Sequence, residues 1–179
     1  MGISCSKQHH VSIIDNKQIK FFLTSEEVKY VKASWKTFSK RKRKDTGFWI
    51  FNRFFELHPE LKKLFKQQMM QEGDELLVDE DKLRNHGNIV MEGLGAAVES
   101  LEDSVFLSNV LVSMGESHAR HHVKPEMVIL LWPAIRDAFK DCMGDDFTPA
   151  KDKAWEHVFE YMATKFKEGL RKESRQAAR

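Results

Sequence analysis

Cysteine is scarce: Cys5 and Cys142 are the two in 179 residues, which gives neither a disulfide framework nor a zinc cluster and makes a cytosolic chain the default. Nine glycines and four prolines leave long stretches without punctuation. No apolar run approaches the length that spans a bilayer, and residues 1–24 lack the continuous apolar centre of a secretory signal. Charge of one sign is also missing. The formal net charge is only +2 and no RNA- or DNA-binding motif is present, which sets nucleic acid aside as a partner. What the chain does hold is bulk. Apolar residues reach 41%, enough for one soluble domain with a sizeable core, and thirteen phenylalanines with four tryptophans point to long helices packed through large rings.

Residues 1–23 show no sustained periodicity and read as an extension. Thr24 and Glu27 fit a capping box, which opens a helix carrying Val28, Val31, Trp35 and Phe38. A basic run over 41–44 ends that helix, and Asp45 is placed to cap the next, an aromatic-rich segment from Gly47 to Leu57. His58–Pro59 breaks it, because the residue before proline disfavours helix. After a polar stretch over 67–80, a long helix over about 79–101 carries Leu83, His86, Val90, Leu94 and Ala97 on one stripe. Asp103 caps another, whose stripe is Leu107, Leu111, Met114 and His118. Pro125 suits the first turn of a further helix with Val128, Leu131, Ile135 and Phe139, and Pro133 either kinks that helix or marks its true start. Thr148 and Pro149 open a last helix lined by Trp155, Val158, Met162, Phe166 and Leu170. Nothing reads as a strand, so the expected class is all-α.

Two of the eight histidines interrupt apolar stripes. His86 and His118 sit on separate helices, each where a core residue belongs. A buried imidazole needs a hydrogen-bond acceptor or a metal, because leaving it unpaired costs about 1–3 kcal/mol. Either one alone reads as a core histidine bonded to a carbonyl. A mononuclear zinc site lacks further ligands at suitable spacing. A flat cofactor gripped between two helices needs only one or two nitrogen ligands and fits the pair better.

Five segments, in order, then resemble the globin family over residues 24–172, leaving 173–179 as a tail. VKASWKTF resembles its first helix. HPELKKLF resembles its proline with a phenylalanine six residues on, here Phe65, which in the family stacks on the porphyrin. LRNHGNIV resembles the distal segment, ESHARHHVKP the proximal segment and KAWEHVF the last helix. The resemblance implies a three-over-three helical fold around haem b. It makes His118 the proximal iron ligand, His86 the distal histidine and Val90 the distal wall. The second N–H of His118 then needs an acceptor, for which Ser117 and the Met114 carbonyl are the candidates. His122 matches a position that in the family often reaches a haem propionate, and equally reads as a helix-end histidine. His121 is expected in solvent, and His9, His10, His58 and His157 are expected to be structural or exposed. His86 either hydrogen-bonds bound O2 or ligates the iron itself. The 32-residue separation of His86 and His118 resembles the neuroglobin-like and globin X members, in which the distal histidine closes onto iron.

The chain opens MGISCSK. Gly2 with Ser6 matches the N-myristoylation pattern, and Cys5 is placed for a palmitoyl group, an arrangement that also resembles globin X. One acyl chain binds a membrane only marginally, so Cys5 or Lys7, Lys17 and Lys20 would supply the second signal. These readings together imply a haem protein at the cytoplasmic face of a membrane. The expected ligands are O2, CO and NO, and the expected role is redox: electron transfer, for which a membrane reductase is a candidate partner, reduction of nitrite, or protection against reactive oxygen species. Oxygen storage and gas sensing through a partner are the alternatives.

Overall fold

The computed structural model describes residues 10–13, 21–62 and 79–177. Among them, six α-helices carry the fold: α1 (Ser25–Arg41), α2 (Thr46–Leu57), α3 (Glu80–Glu99), α4 (Ser104–Ala119), α5 (Trp132–Met143) and α6 (Pro149–Ala177). Three 3-10 segments join them, at Pro59–Leu61, Pro125–Leu131 and Gly144–Asp146. No helix among the described residues is long and apolar enough to cross a membrane.

The helix ends follow the local chemistry. The Thr24 side chain accepts from the Glu27 N–H at 3.1 Å and the Glu27 carboxylate accepts from the Thr24 N–H at 2.8 Å, completing the capping box. Asp103 caps α4 by accepting from the Phe106 N–H at 3.1 Å. Asp45 precedes α2 as expected but makes no side-chain cap; its carboxylate pairs with Arg84 on α3 at 3.0 Å instead. Pro133 marks a true start. The segment from Pro125 is a 3-10 helix, and the α-helix begins at Trp132 with Pro133 in its first turn, where a missing N–H costs nothing.

The all-α class holds, with two details to correct. A short antiparallel pair does form, β1 (His10–Ile13) with β2 (Phe21–Thr24), in the register His10 opposite Thr24 and Ile13 opposite Phe21. Four residues each are too few for a period of two to stand out, although Val11, Ile13, Phe21 and Phe22 are strand formers. Leu23 is 1% exposed, so the packed unit reaches back into the segment read as an extension. At the other end α6 continues to Ala177, past residue 172.

One core joins the helices. Phe38, Phe139 and Trp155 meet ring to ring, at 4.6 Å for both Phe38–Phe139 and Phe139–Trp155. Trp155 donates its Nε1–H to the Ser34 hydroxyl at 2.8 Å, which satisfies the one polar atom of a buried indole. This cluster fixes α1 against α5 and α6 and leaves α2, α3 and α4 to frame the histidines.

Candidate functional site

Two backbone crossings position the histidine-bearing helices. At the first, α2 meets α3 where Gly47 faces Gly87. A Cβ added to Gly87 would lie 2.5 Å from the Gly47 carbonyl carbon and 2.7 Å from the Phe48 nitrogen. Only glycine allows that approach, and Gly87 is the neighbour of His86. At the second, α4 runs along α6. A Cβ on Gly115 would run into the Phe166 carbonyl oxygen and one on Gly169 into that of Val112, so neither helix can carry a side chain there. Gly115 lies three residues before His118 on α4.

These crossings bring His86 and His118 together. Their ring centroids are 6.5 Å apart at an interplanar angle of 51°. Two imidazoles sharing one transition-metal ion, each nitrogen about 2.0–2.1 Å from it, put their centroids roughly 6–6.5 Å apart. The separation of the two rings matches that of two imidazoles on one metal. Among the described residues no group of three or more histidine, cysteine, aspartate or glutamate side chains is placed to hold an ion.

The orientation of His118 is set by its own helix. Its Nδ1 lies 2.8 Å from the Met114 carbonyl oxygen. A carbonyl only accepts, so Nδ1 carries the proton and donates, leaving the Nε2 lone pair for a ligand. Met114 is thus the acceptor. Ser117, the other candidate, is exposed and does not take that role, because at one residue's remove its side chain leaves the helix in another direction. Both imidazoles are kept neutral. Burial pushes the His86 pKa down to about 4, with repulsion from His118 and His121 adding to it. Burial also lowers that of His118, against the pull of the Met114 hydrogen bond. A neutral ring keeps a lone pair to give, so desolvation here prepares ligation rather than charge.

Phenylalanines back both rings. Phe51 of α2 lies 4.9 Å from His86 and Phe166 of α6 lies 4.9 Å from His118, the latter edge-on. Both rings belonged to the buried pattern of the sequence, yet nothing in that pattern set them beside the histidines. The available signal was Gly47 one turn before Phe51, with Gly87 next to His86. Val90 is half-buried against the core, one turn beyond His86 on the same stripe. His121 is exposed, with its ring 6.4 Å from His118. His122 is exposed too, in the left-handed region at φ 60°, where the chain turns away after α4. Phe65, Gly2 and Cys5 lie outside the described residues. Of the remaining histidines, His157 meets Glu27 at 2.8 Å and His58 lies 3.5 Å from Glu60, both structural roles.

A globin family profile matches residues 49–166, well over half of the chain. Cytoglobin-2 of Danio rerio is 33% identical over 112 residues, which is 62% of this chain and 63% of that protein. Neuroglobin of Tetraodon nigroviridis is 25% identical over 150 residues, 84% of this chain and 94% of the relative. Among solved structures, a hexacoordinated haem protein from an anhydrobiotic tardigrade, determined at pH 4, superposes with a TM-score of 0.71. It shares 21% identity and the match covers 83% of this chain and 96% of that one.

Proposed function

The chain belongs to the globin family, and on that premise we propose that it holds haem b with His118 as the proximal and His86 as the distal ligand, and that it works in redox chemistry at a membrane surface. The observation that carries the reading is the pair of neutral imidazoles with centroids 6.5 Å apart. Bound haem would supply an iron centre that exchanges one electron and takes O2, CO or NO as a sixth ligand.

The residues of this chain do the rest. The Met114 carbonyl fixes the tautomer of His118 and raises its basicity, which favours the higher oxidation state of a bound metal. With haem bound, His86 would have to swing away before an external ligand entered, and apparent affinity would fall in proportion to the open fraction. Phe51 stands against the His86 ring and would resist that swing, while Val90 packs against the core one turn beyond His86. A protein built this way trades gas affinity for a ligand set that need not change on electron transfer. That trade suits electron transfer, nitrite reduction or removal of reactive oxygen species better than oxygen storage. The amino terminus supports tethering: Gly2 and Ser6 match the myristoylation pattern and Cys5 offers a second acyl site, which would place the protein at the cytoplasmic face beside a membrane reductase.

The visible spectrum of the ferrous protein without gas tests the ligand set. Low-spin bands are expected, and His86→Leu should convert them to high-spin and speed CO binding. A high-spin wild-type spectrum would remove the distal bond from this reading. Intact-mass analysis of protein from its native cell tests the tether, and an unmodified Gly2 would exclude it.

A further inference from the structure

The basic run between α1 and α2 has no part in the histidine site. Lys40, Arg41, Lys42, Arg43 and Lys44 are five consecutive cations. The C-terminus of α1 accounts for two of them, since Lys40 and Arg41 lie in its last turn, where the helix dipole favours positive charge. Lys42, Arg43 and Lys44 lie at or beyond the helix end. Arg41 is engaged by Asp146 at 2.7 Å, whereas Lys40, Lys42, Arg43 and Lys44 make no ion pair among the described residues. Arg41 and Arg43 also line an open groove of about 820 Å³, and so does Trp49 from the first turn of α2. Trp49 is 57% exposed, an unusual state for the largest apolar side chain. Of the carboxylates that line the same groove, Glu56 and Asp137 are taken up by Arg53, at 3.1 and 2.9 Å, and Asp141 makes no ion pair among the described residues, so unpaired cations outnumber unpaired carboxylates around Trp49.

We infer that this rim, Lys40–Lys44 with Trp49, docks on an anionic lipid surface. An exposed tryptophan beside clustered cations has the two features that such a surface recognises: an indole that settles at headgroup depth, and charge that is drawn to acidic lipid. Trp49 and Phe51 are two positions apart on α2 and so point to opposite sides. Docking through Trp49 therefore places α2 between the bilayer and His86, with the Phe51 ring on the pocket side. The inference complements acylation at Gly2 and Cys5 as a polybasic second signal, but it stands without it.

The test uses the full-length haem-loaded protein carrying Gly2→Ala and Cys5→Ser, so that no acyl chain contributes. It is sedimented with phosphatidylcholine vesicles, with and without phosphatidylserine at roughly a third of the lipid. Binding is expected only with phosphatidylserine and should weaken as salt is raised. Each cation near such a surface is worth about fivefold, so adding Lys42→Gln, Arg43→Gln and Lys44→Gln should weaken binding on the order of a hundredfold. The matched triple Lys153→Gln, Lys167→Gln and Arg171→Gln on α6 removes the same charge elsewhere and should change it far less. Trp49→Ala should weaken it several-fold while leaving its salt dependence in place. No binding to phosphatidylserine vesicles, equal losses from the two triples, or capture by an acidic protein or by nucleic acid without vesicle binding would each overturn the inference. If binding survives here but native protein carries no acyl chain, the tether fails and this face stands.

Discussion

Replacing Gly87 with alanine adds one methyl group at the crossing of α2 and α3, next to His86. That methyl would sit 2.5 Å from the Gly47 carbonyl carbon, 2.7 Å from the Phe48 nitrogen and 2.9 Å from the Gly47 oxygen. Carbon contacts settle at about 3.5–4.0 Å, so the two helices must part by about 1 Å. All three obstructing atoms are backbone and cannot rotate aside, which places the cost in the overpacking range of about 1–3 kcal/mol. Alanine is favoured over glycine inside a helix by about 1 kcal/mol, which offsets part of that cost. The functional effect should be larger than the stability effect. A displacement of about 1 Å is half the length of a metal–nitrogen bond of about 2 Å. The ferrous, gas-free spectrum of Gly87→Ala should gain high-spin character, and CO should bind faster.

Gly93 gives the matched control. It lies on the same helix, and a Cβ there would meet nothing within 4 Å. Gly93→Ala should gain the helix propensity alone, stabilising by about 0.5–1 kcal/mol with an unchanged spectrum. The difference between the two variants cancels propensity and isolates the clash, about 1–3 kcal/mol, or roughly 2–12 °C in melting temperature for a chain of this size. Thermal melts of the two proteins, with their spectra, decide the matter. If Gly87→Ala is stabilised as much as Gly93→Ala and keeps its low-spin bands, the close crossing does not hold His86 in place and the reasoning fails.

His118→Ala should abolish or greatly weaken haem uptake in a titration, whereas His121→Ala should keep full stoichiometry; the reverse result would show the wrong residue of α4 facing the cofactor. Glu27 should make stability depend on acid. Burial acts to raise its pKa, but hydrogen bonds from Thr24 and His157 outweigh that and hold it below the ordinary 4.5. A depressed carboxylate contributes stability that is complete above the unfolded value and is lost as pH falls through the folded one. Denaturant titrations across that range should therefore show Glu27→Gln less stable than wild type at neutral pH, with a shallower loss below pH 4.5. Parallel curves for the two proteins would exclude this role.

The parts of this fold that were legible in the sequence are those encoded within one element. Capping at Thr24 and Asp103 needs two residues three apart, and the stripes carrying His86 and His118 need only the helical period. Helix order plus that period was enough to single out the two histidines, while their ligand roles came from the resemblance to the globin family. The carbonyl that orients His118 was also within reach, since Met114 lies one turn back on the same helix. What escaped reading depends on contact between elements. A glycine in a helical stretch looks like a weakness of about 1 kcal/mol, and nothing local says that Gly47 meets Gly87 or that Gly115 and Gly169 let α4 and α6 close on each other. Those pairings decide which aromatic rings reach the site, which is why Phe51 and Phe166 were visible as core residues and invisible as its walls. The same reason explains Asp45. Its sequence position suits a cap, but the crossing of α2 and α3 brings the Arg84 guanidinium within 3.0 Å, and the α2 N-terminus is left without its side-chain acceptor. The glycines that weaken the helices locally are thus the residues that allow two histidines, far apart in sequence, to come within 6.5 Å of each other.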